Sequence, residues 1–182
     1  MSEPQLSHRP PSLPSDCETR TLGVAFVDMS RFAVWVGSEQ DTLVADFLQR
    51  FYRLSTELAE GAQGRIVKFM GDGVLAVFPP ESMEPMVTAL GTLAKDARQL
   101  GHEFGIDTYL NINVHVGSVV CGSFGAPDQE RFDVIGKTVN IAARLGRRGM
   151  TLSPQAFRCL GPEARKSFDK NMPPITYRRP TG

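Results

Sequence analysis

The stretch that decides the fold runs from Gly64 to Phe78 and reads GRIVKFMGDGVLAVF. Two runs with alternating apolar residues, IVKFM and VLAVF, flank a Gly-Asp-Gly turn, which is a strong short-range signal for a β-hairpin. Asp72 could therefore be a turn former and no more. Lys68 argues for a further role, because a lysine within an apolar strand must extend its amine to water, pair with an acid or contact a ligand.

A second apolar run, LGVAFVDM, begins after Thr21 and ends with Asp28, and it predicts the first strand. Small or apolar residues occupy both of its faces, so we expect both faces of this strand to be covered. Two carboxylates at the ends of neighbouring strands, Asp28 and Asp72, would form a site for a hard divalent cation of the kind that handles phosphates. The turn DMSRFAVW is then expected to hold the phosphate end of any ligand bound beside Asp28.

Length and composition exclude several classes of function. The chain has 182 residues, enough for one compact domain with a full core. Its 20 basic and 20 acidic residues balance, so no overall field attracts nucleic acid or an anionic membrane. No apolar run is long enough to span a bilayer and no signal peptide is recognisable, which predicts a cytoplasmic protein. Three widely separated cysteines suit a reducing compartment and offer neither a disulfide framework nor a zinc spacing.

The remaining sequence predicts strands mixed with helices. Residues 1–20 are rich in proline and polar residues and are expected to be a disordered leader or linker. Apolar stripes predict one helix from about Ser38 to Gly61 and another from about Glu84 to Leu100, each with its stripe in the core. The stripes consist of Leu43, Phe47, Phe51, Leu54 and Leu58 in the first helix and of Met86, Leu90, Leu93, Ala97 and Leu100 in the second. The segments LNINVHVGSVVCGSF and FDVIG predict two more strands. The segment GKTVNIAARLGRRG predicts a short helix that places Asn140 and Arg144 on one face.

The tail segment SPQAFRCLGPEARKSF predicts a last helix, followed by a strand around Pro174 to Tyr177. Within the strands, His115 is expected to be a satisfied interior histidine, and Cys121 a small buried apolar residue. Elements in this order predict a single α/β sandwich in which helices pack against a mainly antiparallel sheet.

Between Thr21 and Tyr177 the chain resembles the catalytic domain of class III nucleotidyl cyclases, the adenylate/guanylate cyclase family, and is most like a bacterial adenylate cyclase. FVDMSRF resembles the motif of the first metal-binding aspartate, and KFMGDG the motif of the specificity lysine and the second aspartate. FDVIGKTVNIAARL resembles the family signature. The intervals within these motifs also agree, which makes the match far more specific than a lone GDG.

The resemblance implies a ferredoxin-like α+β sandwich of the class III cyclase type, formed by a catalytic domain over residues 21–182. Asp28 with the adjoining Met29, together with Asp72, would bind two divalent cations, Mg²⁺ or Mn²⁺. Phe32, which the first motif keeps, would contact the substrate.

The same resemblance implies how the nucleotide is held. Lys68 would donate a hydrogen bond to adenine N1, and Asp133 would accept one from the 6-amino group. Asn140 would orient the ribose, and Arg144 would stabilise negative charge on the transferring phosphoryl group. Lys170 would contact the terminal phosphates.

The implied activity is that of an adenylate cyclase, a phosphorus–oxygen lyase that converts ATP into 3′,5′-cyclic AMP and pyrophosphate. In this family, the residues matching Asp28 and Asp72 come from one subunit, and those matching Lys68, Asp133, Asn140 and Arg144, which complete the set of six, come from its partner. This arrangement implies a homodimer with two shared sites. The chain contains all six residues and needs no heterologous partner, although a regulatory domain or protein stays open.

Alternatives stay open beside this expectation. The chain could cyclise GTP or a pyrimidine nucleotide, since pocket shape also affects selectivity, although guanine readers typically carry glutamate and cysteine where Lys68 and Asp133 stand. It could instead be a catalytically silent regulatory domain. A diguanylate-type cyclase would need a Gly-Gly-Asp/Glu-Glu-Phe turn, and the sequence here is MGDGV.

Two departures from the family pattern stand out. Arg31 and Ala33 occupy positions where glycine and threonine are common, and the Arg31 side chain is expected to point to solvent. The stretch from Arg144 to Thr151 is shorter than usual, so the helix that carries Asn140 is expected to end early.

Overall fold

The computed structural model describes residues 16–146 and 149–180. The strands are β1 (Glu18–Met29), β2 (Arg65–Met70), β3 (Gly73–Phe78), β4 (Leu110–Phe124), β5 (Arg131–Ile135), β6 (Met150–Leu152), β7 (Asp169–Asn171) and β8 (Thr176–Arg179). The helices are α1 (Phe32–Val36), α2 (Asp41–Gly61), α3 (Met83–Glu103), α4 (Lys137–Ala142), α5 (Pro154–Arg158) and α6 (Pro162–Arg165). Of the leader predicted over residues 1–20, residues 1–15 lie outside the described residues, and residues 18–20 belong to β1.

The strands form one 8-stranded sheet in the order β2-β3-β1-β4-β6-β8-β7, and β5 pairs with the C-terminal half of β4. Among the described strands, β4 and β6 pair in parallel and the other pairs are antiparallel. The predicted fold, an α+β sandwich with a mainly antiparallel sheet, is therefore confirmed.

Helices α2 and α3 cover one face of this sheet and build the main core. The predicted stripe of α3 is buried throughout, at Met86, Leu90, Leu93, Ala97 and Leu100. In α2, Phe47 and Phe51 are fully buried, whereas Leu43 is 39% exposed. The expectation that Leu43 belongs to the core is therefore wrong, because it lies in the first turn of α2, ahead of the part that packs against the sheet.

The opposite face, called the open face below, carries a smaller apolar cluster. Its buried members are Val24, Leu75, Val77, Val119, Cys121, Val134 and Ala142. Helix α4 contributes Ala142, and β5, which pairs with β4, contributes Val134. Cys121 is a small buried residue, as predicted. His115 is also buried, and its Nδ1 lies 2.8 Å from the Ser153 hydroxyl, which confirms a satisfied interior histidine.

Several local predictions differ from the structure. The expected turn after β1 contains the five-residue helix α1. The helix predicted over the tail is divided into α5, which ends at Arg158, and α6, which begins at Pro162, because Gly161 between them is extended and Pro162 suits the first position of a helix. The strands β6 and β7 were not expected, since three residues are too few for a recognisable alternation. No described helix is long and apolar enough to cross a bilayer.

Candidate active site

Two carboxylates lie together at one end of the sheet. Asp28 stands on β1 directly opposite Asn111 of β4, and the Asn111 amide donates to its Oδ2 at 3.4 Å. Asp72 lies in the turn between β2 and β3, and the pairing of Val74 with Val27 brings this turn beside the end of β1. The sequence predicted this juxtaposition.

The electrostatics of this pair favour a cation. Burial raises the pKa of Asp72 above its ordinary value, and the negative charge of Asp28 raises it further. A hydrogen bond from the main chain of Asp72 lowers this pKa but does not cancel the increase. A divalent cation would relieve this repulsion, and carboxylate oxygens are the ligands that Mg²⁺ and Mn²⁺ prefer. No group of three or more acidic, histidine or cysteine side chains suited to a metal occurs in the described part of the chain. Further ligands would therefore come from main-chain carbonyls, water or phosphate.

A β-bulge turns Lys68 toward the open face. Ile66 pairs with Ala76 and packs against the main core, but Lys68 pairs with the next residue of β3, Leu75, which belongs to the open-face cluster. Val67 is the extra residue of the bulge. In a regular strand, Lys68 would face the helices, as Ile66 does.

On the open face, Lys68 meets Asp133 of β5. The Lys68 amine donates to Asp133 Oδ2 at 2.6 Å, while Asp133 Oδ1 accepts from the main-chain N–H of Val134 at 2.7 Å. The two side chains are 42% and 30% exposed, so a ligand can still reach both. The structure thus unites the two residues that were expected to read the base.

Asn140 and Arg144 follow Asp133 by 7 and 11 positions in the chain. Asn140 belongs to α4, which ends at Ala142 as the short following stretch predicted. Arg144 lies in the turn beyond the helix, where its main-chain N–H donates to the Ile141 carbonyl at 3.1 Å. The prediction that one helix carries both Asn140 and Arg144 on one face is therefore wrong, because α4 ends at Ala142. Both residues are exposed, and neither side chain makes a hydrogen bond or ion pair within residues 16–146 and 149–180.

Three further residues lie around the first carboxylate. Phe32 is 7% exposed and packs against the rings of Trp35 and Phe47 at 5.7 and 5.9 Å, so its ring anchors α1 and presents little surface to a substrate. The Met29 side chain is buried in the main core, which leaves only its main chain for a cation. Arg31 is exposed as expected, but it pairs with Asp107.

Lys170 lies far from these groups within one chain. It is exposed on β7, at the edge of the sheet opposite to β2. Four strand spacings separate β7 from β1, which places Lys170 about 19 Å from the strand of Asp28. A role for Lys170 therefore requires a site that two subunits share.

The family emerges from comparison with known proteins. Residues 16–171 match the family described as the adenylate and guanylate cyclase catalytic domain. The chain belongs to this family. An uncharacterized protein of Mycobacterium tuberculosis is 35% identical to this cyclase domain over 130 residues, which are 70% of the chain and 23% of that protein. The chain therefore spans about a quarter of the length of the curated relatives it matches.

Solved structures share the fold of this cyclase domain. A bacterial light-regulated adenylyl cyclase matches it with a TM-score of 0.78 at 19% identity, over 89% of this chain and 51% of that chain. The guanylyl cyclase Cya2 matches with a TM-score of 0.75 at 18% identity, over 86% of this chain and 84% of that chain. Since one acts on adenine and the other on guanine nucleotides, the fold alone does not choose the base.

Two residues of the site were missed from the sequence. Asn111 contacts Asp28, but only the register of β1 and β4 pairs them. Tyr52 of α2 donates its hydroxyl to the Gly71 carbonyl at 2.6 Å and stacks on Phe69, with ring centres 4.0 Å apart. Tyr52 thus holds the hairpin turn of the cyclase domain in place. The sequence carried no signal for this contact, since Tyr52 lies outside the apolar stripe of α2.

Proposed function

We propose that this cyclase domain converts ATP into 3′,5′-cyclic AMP and pyrophosphate. The observation that carries the proposal is the contact between Lys68 and Asp133 on the open face, 2.6 Å long and partly exposed. Adenine presents an acceptor at N1 beside a donor at its 6-amino group, and this pair presents a donor beside an acceptor. The lysine has three N–H donors and the carboxylate has spare lone pairs, so both can bind the base while they remain in contact.

Asp28 and Asp72 are proposed to hold the divalent cations. Their oxygens suit Mg²⁺ or Mn²⁺, and their mutual repulsion makes cation binding favourable. A bound cation would lower the pKa of the ribose 3′-hydroxyl and neutralise charge on the triphosphate. Asn111 steadies the Asp28 carboxylate through its amide hydrogen bond.

The chemical step is an in-line displacement at phosphorus. The 3′-oxygen loses its proton to solvent water and bonds to the α-phosphorus, while the bond from that phosphorus to the bridging oxygen breaks and pyrophosphate leaves with the bond's electron pair. Arg144 is proposed to stabilise the negative charge that develops on the phosphoryl oxygens, for which a planar guanidinium is well suited. Asn140 is proposed to orient the ribose so that the 3′-oxygen faces phosphorus.

A homodimer with shared sites is part of the proposal. The exposed side chains of Asn140 and Arg144 leave both residues available to a partner subunit. Large apolar side chains are also exposed in α4, β5 and β2, with Ile141 44%, Ile135 52% and Met70 39% exposed. Such residues are typical of protein–protein contacts when they lie close together, and a two-fold dimer would bury each set against its copy.

The test is product formation by the purified protein with Mn²⁺ or Mg²⁺ and each of the four nucleoside triphosphates, separated by chromatography. Cyclic AMP from ATP alone is expected. Another cyclic nucleotide would keep the reaction and refute the assignment of Lys68 and Asp133. Absence of any product would contradict the enzymatic proposal and favour a silent regulatory domain.

A further inference from the structure

Two side-chain contacts join β2 to β5 across the open face. One is the ion pair of Lys68 and Asp133. In the other, the Arg65 guanidinium lies over the ring of Phe132, 3.7 Å from the ring centre. The main chains of the two strands do not pair in the described sheet, because β2 pairs with β3 and β5 pairs with β4. Side chains therefore connect these two strands.

The contact of Arg65 with Phe132 lies where it can control the ion pair. Phe132 directly precedes Asp133, and Arg65 begins the strand that carries Lys68. Strand β5 has main-chain pairing along β4, and the loop before it, residues 125–130, is exposed. Cation–π attraction holds the Arg65 guanidinium on the face of the Phe132 ring and so restrains that ring from the side of β2. Main-chain pairing with β4 provides no such side-chain restraint.

A cavity lies beside the contact of Arg65 with Phe132. Arg65 and Phe132 line a cavity of about 410 Å³, together with Leu22, Val77 and Cys121. Phe132 also packs against the open-face apolar cluster, so its ring fixes the start of β5 on the sheet. Replacing the ring by a smaller side chain would remove the surface on which the Arg65 guanidinium packs and would enlarge this cavity.

We propose that Arg65 and Phe132, named here the β2–β5 clamp, are positioning residues that hold Asp133 against Lys68 and thereby set selectivity for the base. This inference rests on the proposed function. The clamp acts through the ion pair and has no contact with substrate of its own. Its loss changes how well the base is held and chosen, while the groups assigned to catalysis, Asn140 and Arg144, stay in place.

The first test compares steady-state kinetics of Phe132→Leu and Phe132→Tyr with the parent protein. Leucine keeps the apolar contact and removes the aromatic face, so the KM for ATP is expected to rise and the ratio of kcat/KM for ATP over GTP to fall by about tenfold, with kcat nearly unchanged. Tyrosine keeps the ring, so Phe132→Tyr is expected to retain the KM for ATP and the ATP-to-GTP ratio of the parent protein. The matched control is Arg53→Met, which replaces an exposed arginine of α2. This variant is expected to change neither the KM for ATP nor the ATP-to-GTP ratio.

An unchanged ATP-to-GTP ratio in folded Phe132→Leu protein would overturn the inference, even if the melting temperature falls. If Phe132→Leu does not fold, Arg65→Met provides the same test from β2, because it removes the cation and leaves the ring. A ratio unchanged in Arg65→Met would equally contradict the clamp.

A second measurement does not depend on turnover. Thermal melting of Phe132→Leu, Lys68→Met and the double variant forms a double-mutant cycle. If the clamp holds the ion pair together, Lys68→Met is expected to lower the melting temperature less in the Phe132→Leu background than in the parent. Additive shifts would refute the clamp. Should the parent form no cyclic nucleotide, the proposed function fails, and the cycle still decides whether Arg65 and Phe132 position the pair.

Discussion

Lys68 and Asp133 lie 65 positions apart in the chain, yet the amine of one is 2.6 Å from the carboxylate of the other. The contact depends on two separate features. The bulge at Val67 turns Lys68 to the open face, and β5 folds back along β4 to present Asp133. The same face carries Asp28, the first carboxylate of the proposed cation site.

Exchanging the base-reading pair is expected to change the preferred nucleotide. Guanine presents an acceptor at O6 beside a donor at N1, the reverse of adenine. The double variant Lys68→Glu/Asp133→Cys is therefore expected to shift the ratio of kcat/KM for GTP over ATP by about 100-fold or more. The single variant Lys68→Glu is the control, since it places two carboxylates together and is expected to impair both reactions. A double variant that still prefers ATP would exclude this pair as the base reader.

Removing the charge of Asp72 is expected to lower activity without lowering thermal stability. Asp72→Asn should lower kcat by about 100-fold or more, because cation assistance is worth several kcal/mol. Without added cation, the same variant is expected to melt no lower than the parent at neutral pH, since ionised Asp72 is half-buried and repelled by Asp28. Substantial Mg²⁺- or Mn²⁺-dependent activity of Asp72→Asn would contradict the cation role.

The pH dependence of that stability follows from the raised pKa of Asp72. The folded state binds the proton more tightly than the unfolded state, so this group favours folding at low pH and the effect is lost as the pH rises through its folded-state pKa. In cation-free buffer, the stability of the parent relative to Asp72→Asn is therefore expected to improve as the pH falls toward the ordinary value of 3.8. Added Mn²⁺ should raise the melting temperature of the parent and not that of Asp72→Asn.

Mixing two inactive variants tests the shared site. Asp28→Ala and Arg144→Ala disable opposite sides of the proposed site, so each mixed dimer would contain one intact site. After subunit exchange at equal amounts, half of the dimers are mixed and activity is expected to recover to about a quarter of the parent level. Asp28→Ala mixed with Asp72→Ala is the control and should stay inactive, since both changes affect the same side. No recovery after verified exchange would refute the shared site.

Glycine is expected to be more stabilising than alanine at position 31, which Arg31 now occupies. Its backbone has φ 63° and ψ 0°, the left-handed conformation that a side chain disfavours. Arg31→Gly and Arg31→Ala both remove the exposed ion pair with Asp107, so comparing them isolates the backbone effect. The glycine variant is expected to be more stable by about 1 kcal/mol in chemical denaturation. Equal stabilities would show that this conformation carries no strain.

Much of the fold was predictable because its signals are local. The Asp-Gly turn with its flanking alternation predicted the hairpin, and apolar stripes predicted α2 and α3. The burial of His115 followed from its place within an apolar strand. The motifs also named the residues that the structure then brings together in pairs, Asp28 with Asp72 and Lys68 with Asp133.

The contacts that complete the site depend on tertiary structure. Alternation assigns residues to a face only while strand pairing is regular, and the bulge at Val67 reverses the assignment of Lys68. Phe32 became a core residue because α1 packs it against Phe47, although the sequence suggested a substrate contact. Asn111 reaches Asp28 through the register of β1 and β4. Sequence patterns determine which elements form, but pairing between distant segments decides which side chains meet, because those contacts arise only when the sheet assembles.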